Sequence, residues 1–283
     1  IDLVQVQSCV VPKTYVPDDN FEAYLETHDA SGNVVSVGDA NSMGDGIANN
    51  DYVTTANISG VTYLFINSLN ISDLTGVEDF TALTILYCHT NQLTLLDVSN
   101  NTALTILSCH INQLTSIDIS QNTALLEFDC WDNQLTSLDV SNNTALYEIF
   151  CNDNQLTSLD LSQNTALASL DCGVNQLTSL DLSQNTALTY LDCGVNQLTS
   201  LDVSNGNNTS FFGFDASGNT NLDCISVDDA VWATSNWTNI DSHTIFLDDC
   251  ASYVSLNADF TADATSVCQG FAVNFTDAST GSA

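Results

Sequence analysis

The chain has 283 residues, of which 35 are Asp or Glu and only one is Lys or Arg, so its formal net charge is −34. A single basic side chain, Lys13, cannot neutralise a row of phosphates, which excludes direct binding of nucleic acids or anionic membrane surfaces and argues against nucleotide chemistry. Hydrophobic residues make up 44% of the sequence and recur periodically, without the run of ~18 apolar residues that a membrane span needs. We therefore expect a folded acidic protein that does not insert into a membrane. Because the sequence starts at Ile1 without a leader, we expect that any export signal was removed or not included.

The N-terminal segment, residues 1–60, is predicted to cap the part of the chain that follows. Asp18 and its polar neighbours precede the sequence FEAYLET. This order is typical of a short capped helix, with Phe21, Tyr24 and Leu25 on one face.

The segment GDANSMGDGIANNDYV (38–53) has two interpretations. It resembles a calcium loop in which Asp39, Asn41 and Asp45 supply oxygen ligands, and calcium is the only cofactor that the sequence suggests. Met43 stands where a carboxylate would be wanted, and the loop lacks a Glu at its twelfth position. The alternative is an ordinary Asx-rich turn without metal.

A repeat of 21 residues governs the middle of the chain, 61–227. Six regular units fill 83–208, an irregular unit precedes them at 61–82, and a degenerate unit follows at 209–227. One unit cannot close a core by itself, so the units must stack into a repeat solenoid with one parallel strand per coil. The period shows directly in one column of cysteines: Cys88, Cys109, Cys130, Cys151, Cys172 and Cys193.

Within each unit the apolar residues alternate along one short strand. In the second regular unit this pattern places Leu107 and Cys109 inward, and Ile106, Ser108 and His110 outward. The spacing LxxLxCxxNxL resembles the leucine-rich repeat, with Cys in place of the third Leu. This resemblance implies a leucine-rich-repeat right-handed coil. The longer form LxCxxNQLTSLDVSxNTAL is similar to repeats of secreted surface proteins from Bacteroidota, which implies type IX secretion.

Two of the repeat columns are interpreted as structural. The cysteines are predicted to be free thiols that act as small core residues, because a straight column cannot converge on a tetrahedral metal site. A column of asparagines is predicted to close the turn after each strand by bonding backbone groups of neighbouring coils. These residues are Asn91, Asn112, Asn133, Asn154, Asn175 and Asn196.

A column of aspartates needs charge compensation, because neighbours at about 5 Å repel by ~0.8 kcal/mol in water. The N–H groups of Asx turns would supply it, since Ser follows each Asp two residues later. Divalent cations bridging adjacent coils are the alternative. The column is Asp97, Asp118, Asp139, Asp160, Asp181 and Asp202.

The C-terminal part departs from the repeat. Residues 228–255 are predicted to form a cap, with a disulfide between Cys224 and Cys250, whereas Cys9 and Cys268 have no assigned partner. Residues 256–283 contain ADFTAD and VNFTDASTG, which resemble the opening strands of an immunoglobulin-like PKD domain. Only a partial β-sandwich fits in this length.

If repetition serves packing, information about a ligand lies where the repeats differ. The outward strand positions combine aromatic rings with carboxylates, which suits sugar rings or a protein segment. His89 and His110 share one outward column and are candidates for binding a metal or an acid partner, or form a solvated pair. The candidate ligand-binding residues, centred on 127–152, are Tyr87, His89, His110, Glu127, Asp129, Trp131, Glu148, Phe150, Asn152, Asp171, Tyr190 and Asp192.

No motif of a known catalytic type is found, so we do not expect an enzyme. The sequence favours an extracellular or cell-surface adhesion module that binds a glycan or a protein. The alternative is a structural subunit of a surface layer or filament, which associates with itself through divalent cations.

Overall fold

A computed structural model describes residues 11–252 and the backbone of four short strands between 256 and 281. Cys9 and Cys268 lie outside the described residues. The helices are α1 (Asp19–Thr27), α2 (Thr55–Ile58) and α3 (Ala230–Asn236), with 3-10 turns at Val77–Asp79, Asn208–Ser210 and Cys250–Ser252. The strands are, in chain order, β1 (Lys13–Tyr15), β2 (Tyr52–Thr54), β3 (Tyr63–Phe65), β4 (Ile85–Tyr87), β5 (Ile106–Ser108), β6 (Glu127–Asp129), β7 (Glu148–Phe150), β8 (Ser169–Asp171), β9 (Ser179–Asp181), β10 (Tyr190–Asp192), β11 (Ser200–Asp202), β12 (Gly213–Asp215), β13 (Cys224–Ser226), β14 (Ile245–Leu247), β15 (Leu256–Asn257), β16 (Phe260–Ala262), β17 (Phe275–Asp277) and β18 (Thr280–Gly281).

The predicted solenoid is confirmed. One strand from each of eight successive coils pairs in parallel, in the order β12-β10-β8-β7-β6-β5-β4-β3. The middle residue of each strand points into the core, as Leu107 does in β5, while its two neighbours lie on the outside. Leu114 and Ile119 close the core from the return path, and Ile117 is partly buried against it. The period-2 pattern of each unit thus becomes one continuous sheet.

The N-terminal cap is tied to the first coil through Asp18. Its Oδ1 caps α1 by accepting from the N–H groups of Asn20 and Phe21, as predicted. Its Oδ2 accepts from the N–H and the hydroxyl of Ser72, 54 residues later. Phe21 stacks on Phe80 with ring centroids 6.3 Å apart, so the helix covers the apolar end of the solenoid.

The predicted asparagine column joins neighbouring coils. Asn133 donates through Nδ2 to the carbonyl oxygens of Cys109 and Cys130, and its Oδ1 accepts from the N–H of Leu114. A second column of buried asparagines, which the sequence analysis did not single out, bridges the return path. In this column Asn143 donates to the carbonyls of Ile119 and Asn122.

The six repeat cysteines are free and fully buried, as predicted. Burial raises the pKa of Cys88 and of Cys151 to about 12, so both thiols stay protonated at physiological pH. They take the place of leucine as small apolar residues.

The C-terminal coils carry a second sheet that was not expected. The prediction of one strand per coil is incomplete here, because return segments pair in parallel in the order β14-β13-β11-β9. Stacked apolar residues such as Leu180 and Leu201 hold these segments in register. The predicted disulfide between Cys224 and Cys250 is present and clamps this end, where Trp237 stacks on Phe214 at 4.0 Å.

The last described strands form two antiparallel pairs, β15 with β18 and β16 with β17. Antiparallel pairing is what the opening of a sandwich requires. Assignment to the PKD class, and the boundaries at 60, 227 and 255, stay predictions.

Candidate ligand-binding face

The outer surface of the eight-stranded sheet is called the strand face. It presents three columns, because the first and third residues of each strand and the second residue after it point away from the core. Parallel pairing in register sets each residue beside its counterpart in the next coil, as in Glu127 beside Glu148 and Tyr190 beside Ser169. The strand face therefore gathers all twelve of the candidate residues predicted from the sequence.

Aromatic rings form a continuous strip over the N-terminal half of this face. The ring centroids of Phe65 and Tyr87 are 5.2 Å apart, and those of Tyr87 and His89 are 6.3 Å apart. His89 then stacks on His110 at 4.2 Å, and His110 stacks on Trp131 at 4.5 Å. We call these five side chains the aromatic strip.

His110 has an acid partner. Its Nδ1 lies 2.7 Å from Oδ2 of Asp129 and 3.0 Å from the hydroxyl oxygen of Ser108. Both contacts are made by the same ring nitrogen, Nδ1. In a catalytic triad, the histidine contacts the nucleophile with one ring nitrogen and the acid with the other, so this arrangement differs from a triad. Ser108 was expected to point outward and does, but it is buried because these neighbours cover it. Burial, and then the charge of His110, lower the pKa of His89.

The C-terminal half of the face is acidic. Asp171, Asp192 and Asp215 stand side by side on neighbouring strands, and we call them the acid ladder. Each accepts from the N–H two residues later, at distances of 3.1, 2.9 and 2.8 Å. Burial raises the pKa of Asp171 to about 6, and repulsion from Asp192 and Asp215 acts in the same direction. Burial and Asp215 likewise raise the pKa of Asp192.

The glycines beside the acid ladder lie where a side chain would fit only tightly. A Cβ at Gly173 would lie 3.1 Å from Oδ1 of Asp192, and one at Gly194 would lie 3.2 Å from the same atom. The candidate contacts were predicted to centre on 127–152, N-terminal to these two glycines. In the structure they make room for the carboxylates, so the acidic surface continues to the last strand of the sheet.

Two more acids, Glu127 and Glu148, and the ring of Phe150 lie between the aromatic strip and the acid ladder. Glu127 and Glu148 lie side by side on neighbouring strands. Burial raises the pKa of Glu148, and the charges of Glu127 and Asp129 act in the same direction. Phe150 is partly exposed beside them, whereas Asn152 donates its amide to Asp153 at 2.9 Å.

Sequence reasoning missed three outward residues at the ends of the face. Tyr63 and Phe65 come from the irregular unit and Asp215 from the degenerate unit, so they fell outside the six aligned repeats. The signal was present, because LxI in 64–66 and FxA in 214–216 match the LxC positions of regular units.

The loop considered for calcium is held together by its own hydrogen bonds. Asp39 accepts from the backbone and side chain of Asn41, and Asp45 contacts Lys13 and Asn50. The buried Glu26 accepts from the N–H groups of Asp45 and Gly46. This bonding is that of the Asx-rich turn, and calcium binding stays a prediction.

The aspartate column on the return path has the predicted Asx turns. Each carboxylate accepts from the N–H of the Ser two residues later at 2.9–3.0 Å, as Asp118 does from Ser120 and Asp160 from Ser162. Bonds from Ser162 lower the pKa of Asp160. The backbone therefore compensates these charges, and bridging cations stay an untested alternative.

Comparisons with known proteins identify the architecture. The chain matches no family model and no curated protein. Internalin C2 from Listeria monocytogenes is similar in structure, with a TM-score of 0.60 and 20% identity over 83% of this chain and 97% of that one. The fold is a leucine-rich-repeat coil with a disulfide cap.

Two longer proteins are also similar to this leucine-rich-repeat chain. The functional domain of InlJ from Listeria monocytogenes, which includes a cysteine ladder, has 29% identity and a TM-score of 0.47 over 83% of this chain. The ectodomain of the receptor kinase GASSHO1/SCHENGEN3 from Arabidopsis thaliana, solved with CASPARIAN STRIP INTEGRITY FACTOR 2, has 18% identity and a TM-score of 0.52 over 62% of this chain. The chain spans 61% of the first protein and 25% of the second. Among the described residues, no helix has the length and apolar character needed to cross a membrane.

Proposed function

We propose that the chain is a non-catalytic extracellular module for adhesion, which binds a protein partner through the strand face. The observation that carries this proposal is the aromatic strip. Its rings lie on the outside of a sheet whose core is closed by other residues, so folding does not require them there.

The exposed N-terminal end of the strip supports a contact role. Phe65 is 46% exposed, and Tyr63, which lies on the same strand but is not part of the strip, is 53% exposed. The other four rings of the strip are partly exposed. Clustered aromatic residues on a surface are the usual anchors of protein interfaces, because they bury a large area at a small cost in side-chain entropy.

The fold supports a binding role, and the disulfide supports an extracellular location. The plant ectodomain with this fold was solved in complex with CASPARIAN STRIP INTEGRITY FACTOR 2, which supports a binding role for the fold. The disulfide between Cys224 and Cys250 is typical of proteins in oxidising, extracellular surroundings.

A test is selection of phage-displayed peptides on the immobilised chain, with a glycan array probed in parallel. We expect enriched peptides whose binding is lost in a Tyr87→Ala/Trp131→Ala variant and kept in Leu95→Ala, because Leu95 is 69% exposed on the return path. The proposal is contradicted if the enriched peptides bind the Tyr87→Ala/Trp131→Ala variant as well as the unsubstituted chain, or if the chain binds only glycans. Calcium-driven oligomers, seen by light scattering in EDTA and in millimolar calcium, would instead favour the structural subunit.

A further inference from the structure

Among the described residues, the acids of the strand face other than Asp129 have no Lys, Arg or His partner within the chain. Lys13 is the only Lys or Arg of the whole sequence, and it pairs with Asp45 in the N-terminal cap. His110 is engaged by Asp129. The acid ladder, Glu127 and Glu148 therefore carry charges that neither Lys nor Arg of this chain neutralises.

The geometry of the sheet keeps these charges close together. Parallel pairing in register holds Asp171, Asp192 and Asp215 on adjacent strands, which are ~4.8 Å apart in a sheet. The raised pKa values of Asp171 and Asp192 report the resulting burial and repulsion. This cost to folding contrasts with the return path, where Asx turns lower the pKa of Asp97 and Asp118.

Rings lie among the acids. Phe150 occupies the same column as the acid ladder, and Tyr190 precedes Asp192 on one strand and stacks on Phe212 at 5.6 Å. An aromatic face next to a carboxylate suits the aliphatic stem and charged head of Lys or Arg, through packing, cation–π attraction and an ion pair together. A neutral sugar would stack on the rings but leave the repulsion between acids unrelieved.

We infer that the partner presents a basic segment, rich in Lys or Arg, which lies across the acid ladder and the rings of the strand face. This inference rests on the proposed function and adds the chemistry of the partner. Each ladder carboxylate uses Oδ1 for a backbone N–H, and for Asp171 and Asp192 this leaves Oδ2 for a cationic side chain. Association is then strengthened by charge complementarity with an acidic chain.

The test uses a fluorescent peptide of alternating Lys and Ser, and a second peptide with Gln in place of Lys. Binding to the full chain is measured by anisotropy at low and at physiological ionic strength. We expect the Lys peptide to bind and the Gln peptide not to bind. The triple variant Asp171→Asn/Asp192→Asn/Asp215→Asn is expected to bind about tenfold more weakly, which corresponds to about 1.4 kcal/mol.

The matched control is Asp118→Asn/Asp139→Asn/Asp160→Asn, which removes the same number of charges from the return path. Asn keeps the oxygen that accepts the N–H in both triples, and thermal melting checks that both variants fold. We expect the control to change affinity less than about twofold.

Three outcomes overturn the inference. Equal weakening by both triples means that the peptide senses net charge alone. Calcium that binds the ladder, in calorimetry, while the Lys peptide does not bind identifies a cation site instead. If the Lys peptide does not bind but the selected peptides bind and depend on Tyr87 and Trp131, the inference is wrong and the proposed function is still supported. If the selection also yields no such peptides, both the inference and the proposed function are wrong.

Discussion

The side-chain amide of Asn133 donates a hydrogen bond of 3.1 Å to the carbonyl of Cys109, which lies 24 residues earlier in the preceding coil. The same Asn accepts from the N–H of Leu114 at 2.9 Å. One side chain therefore satisfies buried backbone groups at a turn where the chain cannot pair with itself.

Replacing Asn133 with Ala is expected to lower the free energy of unfolding by about 3 kcal/mol, because buried backbone groups lose their partner. The neighbouring Gln134→Ala is the control, since Gln134 is exposed and its change is expected to stay within about 0.5 kcal/mol. Urea midpoints of the two variants decide, and equal midpoints would contradict this role.

Asp171→Asn is expected to stabilise the protein above pH 7. Burial raises the pKa of Asp171 to about 6, against about 3.9 in an unfolded chain, so between these values the native state holds more protons and stability falls as the pH rises. Because the side chain is partly exposed, we expect a gain of about 1 kcal/mol at pH 8 and little change near pH 4.

Asp160→Asn is the opposite case and serves as the control for Asp171. Hydrogen bonds from Ser162 lower the pKa of Asp160, so its carboxylate contributes stability above the unfolded pKa and loses it as the pH falls. Urea midpoints are measured at pH 4, 6 and 8 and compared with those of the unsubstituted protein. The midpoint of Asp171→Asn is expected to rise towards pH 8, whereas that of Asp160→Asn is not expected to rise. Parallel shifts would argue against the repulsion assigned to the acid ladder.

The buried thiols are expected to resist alkylation in the folded protein. Cys88 and Cys151 are inaccessible and their pKa values lie at about 12, whereas the thiolate is the reactive form. Peptide mapping after iodoacetamide is expected to find these positions unmodified without denaturant and modified in guanidinium. Modification under native conditions would mean that the core opens.

Removing the disulfide by Cys224→Ala/Cys250→Ala is expected to cost about 3.5 kcal/mol, since it closes a loop of 26 residues. Because coils contact only their neighbours, the loss should begin at the C-terminal coils. Hydrogen exchange by mass spectrometry is expected to rise in β13 and β14 and to stay unchanged in β4. A uniform rise along the chain would contradict the clamp.

Gly44→Ala is expected to destabilise the N-terminal cap by about 2 kcal/mol. A Cβ at Gly44 would overlap the buried carboxyl of Glu26, which holds the loop through backbone N–H groups. Gly60→Ala is the control, because a Cβ there has no atom within 4 Å. Melting temperatures of the two variants separate a clash from a general effect of losing glycine.

The repeat by itself determined much of this protein. A period of 21 residues with alternating apolar positions requires stacked coils, and it identifies Cys109 as core and Asn133 as the turn residue without knowledge of the partner atoms. The cap at Asp18 and the disulfide were also predictable, because each follows from local residue order or from a break in the repeat.

Only the tertiary structure decided how residues of different coils combine. The stacking of His89, His110 and Trp131 depends on side-chain rotamers, and the raised pKa of Asp171 depends on burial and on acids that lie 21 and 44 residues away in the sequence. A repeat specifies which column a residue joins. The distances between side chains in that column, and hence its chemistry, are determined only when the coils pack against one another.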